Sequence, residues 1–292
     1  MPLRTRMRPL YSLLLTAWLS FSFEAIAHEL APVKQLLTPE SVIQASDGKV
    51  YVSEINGFGT DGDGQIRVID HGKSSVFVQG LNDPKGLAII GEYLYIADKT
   101  DIKRVSLVKR QAVVETYVSA QDFPATPQFL NDLASDQQGN LYVSDSGDIL
   151  GKGDGGAIYK ISPQRKLSLL IDGKQDARIL APNGLLADRQ GRHLLVVDFT
   201  SGVLYDYQPA KKQLDEIASG FGGGDGIVRT ADGHLYVSDW KTGKIYQVDP
   251  QHHVSLLKEG YQSAADIALS KDGKQLLVPD MKAGNLDVIS LP

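Results

Sequence analysis

Six segments of the chain share one pattern of apolar and polar positions. Each has an apolar stretch, a Gly-centred turn such as SDGK, QQGN or ADGH, an alternating strand, and a carboxylate at its end. Alternation of apolar and polar residues is typical of a half-buried strand, and a short Gly turn between two such runs predicts a hairpin. The six closing carboxylates are Glu54, Asp98, Asp145, Asp198, Asp239 and Asp280.

This repeat predicts the fold class. The closing carboxylates lie 41 to 53 residues apart, and a third and a fourth short strand follow most of them, as in GKIYQVDP and HVSLLK. Four antiparallel strands that recur at such a period are typical of a β-propeller blade. The sequence therefore predicts an all-β, six-bladed β-propeller with four antiparallel strands per blade. The sixth copy ends after three strands, so we expect the N-terminal strand PVKQLLT, at 32–38, to close the ring.

A polar residue stands at the start of each innermost strand, 13 to 15 residues before the closing carboxylate. Since the innermost strands of a propeller line its central channel, six polar side chains are expected at one mouth of that channel. A water-filled channel explains any one of them well, but it explains the whole set less well. The six residues are Glu40, Lys85, Asn131, Asn183, Asp225 and Asp266.

The chemistry of this set favours a cation. Three carboxylates and one lysine give a formal charge of −2 in a narrow space, where carboxylates without a counter-ion would repel one another. Carboxylate and amide oxygens are hard ligands that suit Ca²⁺ or Mg²⁺, and adaptable rings of them favour Ca²⁺. The set holds no His or Cys, which disfavours zinc. A divalent-cation site and a merely wet channel both remain open on spacing alone.

The ordered residues also resemble a known family. Glu40 in PES, Asn131 in LND, Asn183 in PNG and Asp225 in GDG are similar to the metal-ligand positions of the senescence marker protein (regucalcin)/gluconolactonase family. Members are six-bladed propellers related in architecture to paraoxonases. The resemblance extends over nearly all of 39–292 and implies divalent-metal-dependent hydrolysis of a lactone or similar ester.

The resemblance implies roles for individual residues. Glu40, Asn183 and Asp225 would bind the metal, most readily Ca²⁺, and Asn131 would be a ligand or would hold a water beside it. Asp225 would also be the catalytic general base. We expect Lys85, Asp266 and Phe129 to contact the substrate. Lys85 could instead pair with Glu40 and weaken metal binding, so a non-catalytic NHL-type propeller that serves as a ligand- or protein-binding platform is the alternative function.

Two long Gly/Asp-rich loops are expected to surround the pocket. They are INGFGTDGDGQ at 55–65 and SGDILGKGDGGA at 146–157, and each joins the second and third strands of its blade. Four aromatic residues are candidates for substrate walls, although packing between blades is the alternative for each: Phe58, Phe123, Phe129 and Trp240. The closing carboxylates recur in every blade, so we expect them to accept turn amides rather than to act in catalysis.

The N-terminal residues predict export. Arg4, Arg6 and Arg8 precede an apolar run, and Ala25-Ile26-Ala27 follows it. This is typical of a signal peptide over 1–27, which would leave a single propeller domain over 28–292 in the periplasm or outside the cell. After the signal no segment is long and apolar enough to span a membrane.

Composition narrows the possible chemistry and partners. The chain contains no cysteine, which excludes disulfides and thiolate chemistry. Its net charge of −5 would become −7 on removal of 1–27, because three Arg and one Glu are lost. A negative chain without clustered basic residues is a poor partner for nucleic acid. We expect a monomer with a small-molecule substrate.

Overall fold

The computed structural model describes Met1 and residues 30–292. The predicted signal peptide therefore lies outside the described residues apart from Met1. The described chain contains six four-stranded sheets of antiparallel strands and a single-turn 3-10 helix, Ala120–Asp122. The prediction of an all-β, six-bladed propeller is confirmed. No helix in the described part has the length and apolarity that a membrane span requires.

The strands are numbered along the chain, and the first, β1 (Val33–Lys34), belongs to blade six. Within every other blade the four strands follow one another in sequence order. Blade one contains β2 (Pro39–Gln44), β3 (Val50–Glu54), β4 (Gly64–Asp70) and β5 (Lys73–Leu81). Blade two contains β6 (Pro84–Ile90), β7 (Tyr93–Asp98), β8 (Asp101–Ser106) and β9 (Val114–Val118). Blade three contains β10 (Leu130–Ser135), β11 (Leu141–Asp145), β12 (Ala157–Ile161) and β13 (Leu167–Asp172).

The second half of the ring repeats this arrangement. Blade four contains β14 (Pro182–Ala187), β15 (Leu194–Asp198), β16 (Val203–Gln208) and β17 (Gln213–Ser219). Blade five contains β18 (Gly224–Arg229), β19 (Leu235–Asp239), β20 (Lys244–Val248) and β21 (Val254–Glu259). Blade six contains β22 (Ala268–Leu269), β23 (Gln275–Asp280) and β24 (Asn285–Ser290), with β1 as its outermost strand.

The N-terminal strand closes the ring, as the sequence predicts. Strand β1 pairs antiparallel with β24, with Val33 opposite Leu286 and Lys34 opposite Asn285. The first described strand therefore shares a sheet with the last strand of the chain. Pairing of the two ends covers the edge of blade six near this point and joins the first blade to the last.

The hydrophobic core lies between neighbouring blades. Each adjacent pair of blades shares an apolar cluster, because every sheet is flanked by a sheet on both sides. Between blades one and two, for example, Ile66 and Val78 pack with Leu94 and Ile96. This explains why β7 and the equivalent second strands are buried along nearly their whole length.

The closing carboxylates hold the blades in shape, which confirms their predicted structural role. Each is buried and accepts a hydrogen bond from a backbone amide in the segment that leads into the innermost strand of its own blade. The donors, in blade order, are the amides of Leu37, Asn82, Phe129, Ala181, Gly223 and Ser263, at 2.8–3.0 Å.

Candidate metal centre at the channel mouth

The structure buries all six of the polar residues predicted at the channel. Five of them are the second residue of the innermost strands β2, β6, β10, β14 and β18, and Asp266 lies two residues before β22. Their exposed fractions lie between 2% and 8% although four of the six side chains are charged, and charged side chains are seldom buried to this extent. The six are Glu40, Lys85, Asn131, Asn183, Asp225 and Asp266.

A β-bulge in the innermost strand of each of blades one to five shapes this ring. In blade one, Pro39 pairs with Glu54 and Val42 with Val52, so two residues of β2 lie opposite the single residue Ser53. The same register shift occurs in β6, β10, β14 and β18. A bulge bends the strand and redirects its side chains.

Serine hydroxyls support three of these bulges from the neighbouring strand. The Ser53 oxygen accepts the amide of Ser41 at 2.9 Å, and the equivalent serines of blades three and five accept amides at 2.8 and 2.7 Å. Backbone groups that leave the strand ladder at the bulge are thereby satisfied.

Among the residues that the structure describes, three buried oxygens of the ring have no hydrogen-bond partner. They are Glu40 Oε2, Asn183 Oδ1 and Asp225 Oδ1. Leaving a buried acceptor unsatisfied costs about 1–3 kcal/mol, and more for a charged group. These three atoms belong to the three residues for which the resemblance implies direct metal contact. They are the strongest indication that the ring receives a ligand.

Asn131 is held by its amide nitrogen. Its Nδ2 donates to Ser146 Oγ at 3.0 Å, and that hydroxyl donates to the carbonyl of Pro182 at 2.8 Å. These two hydrogen bonds link blade three to blade four. They leave the amide oxygen of Asn131 available to a cation or a water molecule.

The carboxyl groups of the ring affect one another electrostatically. Burial raises the pKa of Glu40 well above its ordinary value, and the neighbouring carboxyls Asp225 and Asp266 raise it further. The pKa of Asp225 is likewise raised by burial and then by Asp266, and burial raises the pKa of Asp266 to about 7. A bound divalent cation would reverse these shifts, because it stabilises the ionised form.

Lys85 does not neutralise Glu40 by direct pairing. No ion pair between them occurs among the described residues; instead Lys85 Nζ donates to the carbonyl of Asp83 at 2.9 Å and lies 4.5 Å from the centroid of the Phe129 ring. Burial lowers the pKa of Lys85, and Glu40 acts against that shift. Lys85 and Phe129, both predicted to contact substrate, therefore lie together at the mouth.

Asp266 forms two links between blade six and blade one. Its Oδ2 accepts a 2.5 Å hydrogen bond from Ser41 Oγ, and its amide donates to the carbonyl of Glu40 at 2.9 Å. Asp266 is predicted to contact substrate, and these contacts add a second role, since they hold the backbone of Glu40.

One buried carboxyl group of the channel was missed by the sequence prediction. Asp132 directly follows Asn131 and accepts the amides of Leu133 and Leu185, each at 2.6 Å. Burial and then Asp266 raise its pKa well above the ordinary value. The only signal in the sequence is the pair Asn131-Asp132, since simple strand alternation places the second residue on the opposite side.

The donor set suits a hard divalent cation. Among residues 30–292 no group of three His, Cys, Asp or Glu side chains could hold a metal by themselves. The ring instead combines two carboxylates, Glu40 and Asp225, with two amides, Asn131 and Asn183. Neutral amide oxygens complete the coordination of a calcium-type ion without adding negative charge. The residues present fit such an ion and do not fit zinc.

The long loop of blade one borders this mouth. The amide of Gly59 donates to Asp83 Oδ1 at 3.0 Å, and that of Gly62 donates to Asn82 Oδ1 at 3.1 Å, immediately before β6. In blade three, the amide of Gly156 donates to the carbonyl of Leu180 at 2.9 Å, just before β14. Both loops therefore reach the start of the next innermost strand.

The four aromatic candidates occupy different environments. Phe58 is 49% exposed on the blade-one loop, and Phe129 and Trp240 are half-buried at the mouth. Phe123 is instead buried in the core between blades two and three, where its ring meets Tyr159 edge-on at 5.0 Å. Phe123 is therefore not a substrate wall, because packing between blades takes up its ring.

Comparisons with known proteins place this geometry in context. Residues 81–254 match the family described as SMP-30/Gluconolactonase/LRE-like region. No curated protein matches the chain in sequence.

Two solved structures share the fold. An X-ray structure of a protein provisionally assigned as a gluconolactonase is 17% identical, with a TM-score of 0.70 over 89% of this chain and 91% of that one. The crystal structure of a calcium-binding protein, regucalcin from Agrobacterium tumefaciens strain C58, is 18% identical, with a TM-score of 0.68 over 87% of this chain and 90% of that one.

Proposed function

We propose that this chain, which belongs to the SMP-30/gluconolactonase/LRE-like family, is a divalent-cation-dependent hydrolase of a lactone or similar ester. The observation that carries the proposal is the set of three buried oxygens without partners, Glu40 Oε2, Asn183 Oδ1 and Asp225 Oδ1, at one channel mouth. Buried acceptors are seldom left unsatisfied, so these three atoms support a bound cation, which the proposed hydrolysis requires.

Four residues would hold the cation. Glu40 and Asp225 provide carboxylate oxygens, and Asn131 and Asn183 provide amide oxygens, with Ca²⁺ as the best match to this donor set. When bound, the cation supplies Lewis-acid chemistry that polarises a carbonyl group and stabilises negative charge on its oxygen.

The residues of the chain supply the remaining steps. Asp225 accepts a proton from the attacking water, whose oxygen bonds to the carbonyl carbon. The ester C–O bond then breaks, and the proton held by Asp225 passes to the leaving oxygen. Lys85, beside Phe129, retains N–H donors beyond the one that it gives to Asp83. Those donors orient the acyl or leaving group of the substrate.

The activity test uses the cation as the variable. The purified protein is stripped with EDTA and assayed on a panel of lactones and esters with Ca²⁺, Mg²⁺, Mn²⁺ or no metal. We expect turnover only with added metal, and we expect Asp225→Ala to abolish it while circular dichroism remains that of the wild type. Absence of turnover by every metal-loaded form would contradict the enzymatic function and favour the NHL-type binding platform.

Export is part of the same proposal. Arg4, Arg6 and Arg8, the apolar run and Ala25-Ile26-Ala27 support cleavage after Ala27, which would release a monomeric propeller over 28–292 into the periplasm or the medium. N-terminal sequencing of the protein recovered from those fractions tests it. A first residue other than His28, or recovery of the uncleaved chain in the cytoplasm, would contradict export.

A further inference from the structure

A second ring of residues lies at the same mouth of the channel as the ring of polar side chains. It consists of the residue that follows each closing carboxylate, and we call it the rim ring. The backbone amide of each member donates to the carbonyl of the segment that enters the innermost strand, at 2.9–3.3 Å, so all six occupy equivalent places at the mouth. The pairs are Ile55 with Thr38, Lys99 with Asp83, Ser146 with Phe129, Phe199 with Ala181, Trp240 with Gly223, and Met281 with Ser263.

The rim ring has an apolar side and a polar side. Blades four, five, six and one contribute Phe199, Trp240, Met281 and Ile55, whereas blades two and three contribute Lys99 and Ser146. Their order around the propeller makes the four apolar residues one continuous arc. That arc borders the blades that carry Asn183, Asp225 and Glu40.

The residues of the apolar arc contact one another across blades. The rings of Phe199 and Trp240 have centroids 6.2 Å apart, and Trp240 Nε1 donates to Met281 Sδ at 3.2 Å. Trp240 also packs against the buried cluster of Ile55, Ala265 and Met281. This cluster joins blades five, six and one and is itself buried. It supports the wall that the half-buried rings of Phe199 and Trp240 form along the mouth.

This wall offers little to a polyhydroxylated substrate. Phe199 has no side-chain donor, and the single indole N–H of Trp240 is already given to Met281. Hydroxyl groups placed against such a wall would lose their water without gaining hydrogen bonds. An apolar ring or chain gains free energy there by burial.

Two lysines stand at the edge of the apolar arc. Lys241 Nζ lies 4.3 Å from the centroid of Phe199, and Lys282 Nζ lies 4.1 Å from that of Trp240. Both lysines are exposed, and neither forms an ion pair with a carboxylate in the part of the chain that the structure describes. Lys99, on the polar side, is instead paired with Asp61 at 2.6 Å.

We propose that the substrate is amphiphilic: a lactone or ester with an apolar ring or short chain beside the scissile carbonyl, and an anionic group farther out. The apolar part lies on Phe199 and Trp240, which the buried Met281 supports, and the anionic group lies between Lys241 and Lys282. This inference rests on the proposed function, because it names the substrate class of the same site.

Binding is measurable without turnover. Trp18 and Trp240 are the two tryptophans of the sequence. Cleavage after Ala27 removes Trp18, and Trp18→Phe does the same for the uncleaved chain, so Trp240 is the only indole reporter in either form. The probes are 3-phenylpropane-1-sulfonate, which is apolar and anionic, 3-phenylpropan-1-ol, which lacks the charge, and gluconate, which lacks the apolar part. We expect the sulfonate to change the emission of Trp240 and to bind about tenfold more tightly than either of the others, a difference of about 1.4 kcal/mol.

Lysine variants test whether Lys241 and Lys282 bind the anionic group. We expect Lys241→Met combined with Lys282→Met to remove the preference for the sulfonate over the alcohol. The matched control is Lys211→Met, an exposed lysine between β16 and β17 at the opposite end of the blade, which should leave all three affinities unchanged. Equal or tighter binding of gluconate, no fluorescence response to the sulfonate, or an unchanged preference in the double variant would each overturn the inference.

Turnover distinguishes failure of this inference from failure of the proposed function. The substrates are gluconolactone, glucarolactone with its free carboxylate, dihydrocoumarin and a carboxylated dihydrocoumarin. We expect the highest kcat/KM for the last. Preference for gluconolactone would overturn the substrate class and leave the hydrolase intact. If none of the four substrates is turned over, the proposed function is contradicted on this panel. The fluorescence titration then tests the substrate class by itself.

Discussion

The backbone amide of Asp266 donates a 2.9 Å hydrogen bond to the carbonyl oxygen of Glu40, and the hydroxyl of Ser41 donates to the Asp266 carboxylate at 2.5 Å. The last blade therefore holds the bulge that positions the first carboxylate of the proposed metal site. Ring closure and the site depend on one another at this point, some 225 residues apart in sequence.

Ser41→Ala should weaken both the closure of the ring and the proposed metal site. Removal of the hydroxyl leaves one oxygen of the buried Asp266 carboxylate without a donor, which should lower the free energy of unfolding by about 1–3 kcal/mol. Calcium affinity should fall as well, because Glu40 Oε2 is less firmly placed. Urea unfolding and calorimetric titration measure the two effects. Ser168→Ala, on the exposed face of β13, is the control, and a Ser41→Ala protein as stable as this control would contradict the role of the hydroxyl.

Gly184→Ala should disrupt the site through the backbone. A Cβ at this position would lie 2.0 Å from the carbonyl oxygen of Asp225, which cannot be accommodated without moving that residue. We expect loss of calcium binding together with lower stability. Gly91→Ala is a useful comparison, because its Cβ would meet no atom within 4 Å and its φ of 59° costs about 1–2 kcal/mol of strain. If both variants bind calcium like the wild type, the close approach of Gly184 to the Asp225 carbonyl is not required for the metal site.

The stability of the metal-free protein should fall as pH rises. The pKa values of Glu40, Asp132 and Asp225 are raised well above their ordinary values, and that of Asp266 is raised to about 7. The native state therefore holds protons that the unfolded chain releases near pH 4, so the stability present below that pH is lost as pH rises through the native pKa values.

Urea unfolding in EDTA between pH 5 and pH 8 measures this loss, at about 1.4 kcal/mol per pH unit for each proton retained. Asp266→Asn should flatten the curve most near neutral pH. Saturating Ca²⁺ should restore more stability at pH 8 than at pH 5, because protons no longer compete. Constant or increasing stability of the metal-free protein with pH would contradict the raised pKa values.

Asp198→Ala should destabilise blade four without altering the chemistry. Its carboxylate is fully buried and accepts the amides of Leu180, Ala181, Thr200 and Ser201. Losing these acceptors should lower the free energy of unfolding by about 3 kcal/mol or more. The KM of the folded fraction should stay unchanged. Asp232→Ala, on an exposed turn, should leave the unfolding midpoint within error. A large change in KM at wild-type stability would instead indicate a catalytic role for Asp198.

The sequence predicted the parts of the molecule that repeat. Six copies of one alternating pattern were enough to derive the blades, the ring-closing strand and the structural role of the closing carboxylates. The burial of Glu40, Asn183 and Asp225 also followed from their equivalent places in the repeat. The repeat predicts these features because each blade packs between two neighbouring blades in the same way.

Features that depend on one blade alone were not predictable in this way. Asp132 enters the channel region through a β-bulge, and a bulge changes which side chains point inward without changing the apolar pattern. Phe123 was a candidate wall residue, but its ring packs edge-on against Tyr159 in the core between blades two and three. The apolar arc of Phe199, Trp240 and Met281 comes from positions next to the repeat that differ from blade to blade.

The central claim is that the ring of oxygens binds one divalent cation, and calorimetric titration of Ca²⁺ into EDTA-stripped protein tests it most directly. We predict one site per chain, and a loss of affinity of at least about 100-fold, or 2.7 kcal/mol, in both Glu40→Gln and Asp225→Asn. Asp232→Asn, an exposed carboxylate at the opposite end of blade five, should bind like the wild type. No calcium binding by the wild type, or unchanged binding by the two ring variants, would contradict the claim.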